Sequence, residues 1–122
     1  MHSKSAQVKG LKEECGITEN SISNAKFLIK KFGIPNRIIL NYVEDPWDYL
    51  TRMEWETDGS TIDYTMSGFS WSYRGEGSRG LCTLMSMCLG HSMADSEIYT
   101  MDKNVKDHTI FDRFGKDKGN DK

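Results

Sequence analysis

Gly75, Gly77 and Gly80 spell G-x-G-x-x-G inside SWSYRGEGSRGLCTLM, residues 70–85. Glycines at this spacing cradle phosphate when a strand precedes them and a helix follows. The first backbone N–H groups of the helix then point at the anion, and the helix dipole favours negative charge there. The alternation of Phe69, Trp71 and Tyr73 predicts a strand, or a kinked extension of one, before the loop. Leu81, Leu84, Met85 and Cys88 predict an amphipathic helix over 78–89 after it. Arg74 precedes the loop, and Arg79, off the apolar helix face, leans back toward the helix start. The expected ligand-binding set is Trp71, Tyr73, Arg74, Gly75, Gly77, Ser78, Arg79 and Gly80. In it the loop N–H groups and Arg79 hold phosphate, Arg74 adds charge, and Trp71 or Tyr73 stacks a base. The same residues also suit a plain strand-to-helix corner with the aromatics in the core. A Walker loop is excluded because G-K-[ST] is missing, and a Rossmann unit because no βαβ repeat follows.

FSWSYRGEGSRGLCTLM resembles the pattern F-x-W-G-Y-x-G-x-G-P-x-x-L-A of small phage and prokaryotic proteins classed as a domain of unknown function. Phe69, Trp71, Tyr73, Gly75, Gly77 and Leu81 match, whereas Ser72 stands for the pattern's glycine and Ser78 for its proline. The resemblance implies a compact α+β domain and no established activity. More loosely, a small acidic chain with aromatics and arginines around a glycine loop looks like phage sponges that sequester nucleotide immune signals.

A second candidate lies upstream. LKEECGITENSISNAKFLIKKFG resembles a DNA-binding helix-turn-helix, with Leu11, Gly16, Ile17, Thr18, Ile22 and Ser23 at the positions such units fill with apolar, turn and cap residues. Lys26, Lys30 and Lys31 would meet DNA phosphates. Lys12 departs from the pattern, because a small apolar residue normally packs there. The competing reading is two ordinary helices with their lysines in solvent.

Catalytic groupings are weak. Cys82, read as lying in the first turn of the loop's helix, is where a dipole lowers a thiol pKa. No spacing brings His91 or His108 to it as a base, and a buried structural thiol is the simpler reading. Cys88, His91 and Asp95 offer metal-ligand types without a complete set of four. Glu54 and Glu56 should share the solvent face of a hairpin. The expectation is a chain that is not an enzyme, with no metal and no cofactor.

The elements that must position these residues follow from periodicity. Val8 and Leu11 suggest a first short helix, stopped near Gly16. Ile22, Ala25, Leu28, Ile29 and Phe32 predict a second, beginning near Ser21 and capped by Gly33 ahead of Pro35. RIILNYV reads as a strand. TRMEWETDGSTIDYTM reads as a hairpin on Asp58-Gly59, a dipeptide suited to a type I′ turn. That turn sets Trp55 opposite Ile62 and Met53 opposite Tyr64, which puts all four on one face. The apolar phase then flips across Gly68, as at a bulge or tight turn. SEIYTM reads as one more strand and HTIFDRF as a last short element.

The chain has 122 residues, 37% hydrophobic and 28% charged, which suits one modest core. The expected organisation is a single α+β domain over 1–114, with a disordered polar tail over 115–122. Two N-terminal helices and the loop's helix would pack on an antiparallel sheet. No apolar run approaches the ~18 residues of a membrane span, no signal-peptide pattern is present, and the three cysteines form no disulfide framework. A cytoplasmic protein, host-cytoplasmic if phage-encoded, is expected. Residues 1–37 carry a net charge of +4 and the remainder −6. The leading expectation is non-enzymatic binding of a small phosphorylated ligand, a nucleotide or ADP-ribose derivative, in a homo-oligomer. The alternatives are a DNA-binding regulator and a protein-binding inhibitor.

Overall fold

The computed structural model describes residues 11–12, 17–44 and 48–113. In chain order the elements are β1 (Leu11–Lys12), α1 (Thr18–Phe32), β2 (Arg37–Val43), β3 (Asp48–Thr57), β4 (Ser60–Met66), α2 (Glu76–Leu89), α3 (Asp95–Tyr99) and β5 (His108–Asp112). The strands form one sheet in the order β1-β4-β3-β2-β5. The four longer strands are antiparallel and β1 joins β4 in parallel. The fold class is α+β, as expected. No helix of the described residues is long and apolar enough to cross a membrane. Residues 1–10, 13–16, 45–47 and 114–122 lie outside the described residues, and with them the expected tail, Cys15 and most of the first expected helix.

The hairpin follows its pattern. Trp55 pairs with Ile62 and Met53 with Tyr64, around the turn at Asp58 and Gly59. The turn itself differs from type I′, because only Gly59 has a positive φ, +72°. One sheet face carries Ile38, Leu40, Tyr42, Met53, Trp55, Ile62 and Met66 into the core, where Ala25 and Leu28 of α1 and Leu81, Leu84 and Met85 of α2 meet them. The opposite face holds charge: Arg37 Nε bonds Glu54, Arg37 Nη2 bonds Glu56, and Arg52 Nε bonds Glu54. Glu54 and Glu56 thus share the outer face, as the alternation requires. These two carboxylates hold the Arg37 pKa above its ordinary value, Glu56 more than Glu54.

Both long helices end at a glycine, the first at Gly33 as expected. Gly33 and Gly90 have φ of +89° and +80°, and their N–H groups close on Ile29 O and Ser86 O. Three expectations need correction. Leu11 and Lys12 are not helical: they pair with Tyr64 and Thr65 of β4. A two-residue segment gains more from an open strand edge than from an isolated helical turn, whose nucleation is unfavourable. Residues 69–73 are not a strand, because β4 ends at Met66 and Ser72 turns to φ +75°. The segment read as SEIYTM is not a strand either: Asp95–Tyr99 is the short helix α3, with Ile98 buried against the core. Within the last element read from the sequence, His108–Asp112 form the edge strand β5.

Candidate functional site

The end of β4 is tied to the start of α1. Thr18 Oγ1 donates to Gly68 O at 2.7 Å, and Gly68 N donates to Ser21 Oγ at 3.0 Å. Gly68 is required by this approach, because a Cβ there would lie 2.5 Å from Ile17 O. The phase flip at Gly68 therefore marks a helix crossing the chain. Beyond it, Phe69 and Trp71 turn into the core, 1% and 0% exposed. Trp71 is pinned on two sides: its Nε1 donates to Lys103 O at 3.1 Å, and its ring meets Tyr49. Ser72 N donates to Ile98 O at 3.0 Å, which draws α3 under the loop.

The glycine loop then resolves into packing contacts. None of its three glycines has a positive φ. A Cβ on Gly77 would stand 2.4 Å from Ser70 Oγ, and one on Gly80 would stand 2.4 Å from Thr18 Cγ2. Gly80 thus lets α2 and α1 touch, and Gly77 lets the first turn of α2 settle onto Ser70. A Cβ on Gly75 meets mainly the Tyr73 ring, at 2.8 Å. Ser78 is buried and donates its hydroxyl to Tyr73 O at 2.6 Å, which ties the loop to the helix. The first-turn acid of α2 is Glu76, already placed to complement the positive end of the helix dipole.

The arginines lie apart from this framework. Arg74 is exposed, its guanidinium carbon 5.2 Å from the centre of the Tyr99 ring. Arg79 is exposed on the side of α2 away from the core, as its helical position predicts. Trp71 has no ring face open to a ligand. Of the expected set, Tyr73 and Gly77 border a cavity, whereas Trp71, Arg74, Gly75, Ser78, Arg79 and Gly80 do not.

That cavity, about 440 Å³, opens between the first turns of α1 and α2. Its walls are Thr18, Gly68, Ser70, Tyr73, Glu76 and Gly77 on the helix side and Tyr42, Tyr49 and Lys103 on the sheet side. The aromatic rings form a row. Tyr42 and Tyr49 are 5.0 Å apart between centroids, and Tyr49 and Tyr73 are 6.1 Å apart. Lys103 Nζ stands 5.2 Å from the Tyr42 centroid, at the far end of the row from Tyr73. Its segment is fixed by the Trp71 indole, by Tyr42 N donating to Val105 O at 2.9 Å, and by Lys106 Nζ donating to Tyr42 O. Cation, rings and the polar start of α2 thus line one cavity.

Tyr42, Tyr49 and Lys103 were not among the residues expected from sequence. Tyr42 and Tyr49 are register partners on the inner sheet face, so period-two alternation carried a signal for them. Lys103 had none, because its position depends on Trp71, 32 residues away.

The other candidates separate. Helix α2 begins at Glu76, which puts Cys82 in the second turn, beyond the reach of the dipole. Burial, then a hydrogen bond to Asp95, pushes its pKa up to about 12, and burial pushes Cys88 up to about 12. Neither thiol is poised as a nucleophile. Among the described residues no group of three or more His, Cys, Asp or Glu is placed to hold a metal ion. Lys26, Lys30 and Lys31 are exposed on α1, but the strand at Leu11–Lys12 takes the place of a helix-turn-helix first helix at those two residues. No family model, no curated protein and no solved structure matches the chain.

Proposed function

We propose that the chain is a non-enzymatic binding module for a small phosphorylated ligand, a nucleotide or ADP-ribose derivative, taken into the cavity between α1 and α2. The observation that carries this reading is the row of Tyr73, Tyr49 and Tyr42 ending at Lys103. Tyr73 and Tyr49 give a planar base stacking area at low entropic cost, backed by Tyr42, which is itself buried in the core. The Lys103 ammonium stands 5.2 Å from the Tyr42 ring, nearer than Lys106 at 6.0 Å, which already donates to Tyr42 O, and it pairs with phosphate. Phosphate goes to Lys103 rather than to the start of α2, because the Glu76 carboxylate already occupies that end. The cavity volume lies in the range of small-ligand sites. Tight binding without turnover is what a sponge for nucleotide-derived immune signals requires, and the measured affinity decides whether this chain acts as one.

Calorimetric titration with mononucleotides, cyclic nucleotides and ADP-ribose tests the reading. The parent should bind at least one of them. Lys103→Ala should weaken it by roughly 1.5–3 kcal/mol, the scale of a charge-assisted hydrogen bond. Arg79→Ala, outside the cavity, should leave affinity unchanged. If no phosphorylated ligand binds, or if Arg79→Ala weakens binding and Lys103→Ala does not, the cavity is not the site.

A further inference from the structure

The last two turns of α1 expose an unusual set of side chains. Every exposed position from Lys26 to Phe32 is a lysine or a phenylalanine: Lys26, Phe27, Lys30 and Lys31. At about 100° per residue these four cover an arc of about 140°. Phe27 is 62% exposed, the most exposed large hydrophobic side chain of the described residues. Burial elsewhere is efficient, since Phe69, Trp71, Met53 and Leu84 are all at or below 1%. Phe27 lies outside the core cluster. The Lys31 ammonium lies 5.9 Å from its centroid, so the ring already sits in a cationic setting. Among the described residues, Arg37 and Arg52 are held in ion pairs, whereas none of the three lysines is.

We infer that this face of α1 binds single-stranded nucleic acid, with Phe27 stacking an unpaired base and Lys26, Lys30 and Lys31 meeting the phosphates beside it. Single-strand sites combine an aromatic platform with cations that track the backbone, and both parts are present on one helix face. The chemistry favours a single strand over a duplex. Phe27 needs the open face of a base, which a stacked duplex hides. The four residues span only about 7.5 Å of helix axis, room for one or two phosphates on one strand. A groove-reading helix pair also requires a first helix, and Leu11–Lys12 is a strand. None of Lys26, Phe27, Lys30 and Lys31 lines the cavity, so this inference stands or falls independently of the function proposed above.

The test is fluorescence anisotropy of a labelled oligothymidylate, the corresponding duplex and an acidic peptide, each titrated with the full chain at low salt. The single strand should bind more tightly than the other two. Two phosphate contacts at a slope of about −0.7 each should weaken it roughly sevenfold from 50 to 200 mM salt. Phe27→Ala should weaken it about tenfold, within the range for one lost base–aromatic stack, and Lys30→Gln should flatten the salt dependence. Both positions are exposed, so unchanged far-UV dichroism and melting will show that the variants fold. The inference is overturned if the duplex or the acidic peptide binds as tightly as the single strand, if Phe27→Ala binds like the parent, or if nothing binds at low salt.

Discussion

Tyr49 meets Trp71 edge to face, with ring centroids 4.8 Å apart and planes at 86°. Trp71 is wholly buried and Tyr49 lines the cavity, so this pair joins the core to the candidate site. Edge-to-face contact sets the positive ring edge of one partner against the negative face of the other. It also holds Tyr49 between Tyr42 and Tyr73, which makes the aromatic row one packed unit.

Tyr49→Phe should therefore melt close to the parent, because it keeps the ring. Tyr49→Ala should lose about 2–3 kcal/mol, combining lost apolar burial with the ring contacts to Tyr42, Trp71 and Tyr73. Urea denaturation of both variants checks this. Equal losses in the two would mean that the hydroxyl, not the ring, holds the site together.

Gly77→Ala should destabilise the fold by about 1–3 kcal/mol through overpacking. The cause is distance and not dihedral angle, since the new Cβ would stand 2.4 Å from Ser70 Oγ. In a Ser70→Ala background that atom is gone and the nearest contacts are at 3.2 Å, so part of the loss should return. A double-mutant cycle reads the coupling directly, and additive losses would exclude this contact as the reason for glycine.

Ser72 is held at φ +75°, a conformation that costs a residue with a Cβ about 1–2 kcal/mol. Glycine is what the backbone here favours. Ser72→Gly should raise stability by about 1 kcal/mol, after allowance for the extra freedom of the unfolded glycine chain. A melting temperature at or below the parent's would show that the serine backbone carries no such strain.

Burial keeps the Cys82 and Cys88 thiols protonated in the fold up to about pH 12, whereas their ordinary value is 9.0. As pH rises through about 9 the unfolded chain releases these protons and the native chain keeps them. The stability contribution is complete below that pH and is lost progressively above it, by up to about 1.4 kcal/mol per pH unit for each thiol. Urea midpoints from pH 8 to 10, in a Cys15→Ser background, should fall steeply. A Cys82→Ala/Cys88→Ala protein should show a flatter decline. The same burial should leave both native thiols slow toward alkylation, and rapid reaction would contradict it.

What the sequence determined by itself was local. The register of the β3–β4 hairpin follows from period-two alternation and a two-residue turn, which together allow one pairing that sets Met53, Trp55, Ile62 and Tyr64 on a single face. Helices α1 and α2 follow from apolar spacing and from Gly33 and Gly90, whose N–H groups close the last turns within four residues. The exposure of Arg79 followed from the same spacing. What only the tertiary structure decided depends on partners far along the chain. Leu11–Lys12 is a strand because Tyr64 and Thr65 offer an open edge more than 50 residues later. The aromatic alternation of 69–73 is broken because the Trp71 indole bonds Lys103 O and Ser72 N bonds Ile98 O. The cavity likewise combines Thr18, Tyr42, Tyr49, Tyr73 and Lys103, residues with no common periodicity. Periodicity reports which face a residue presents within its own element. A cavity is the space left between elements, and its lining is set by how α1, α2 and the sheet pack together.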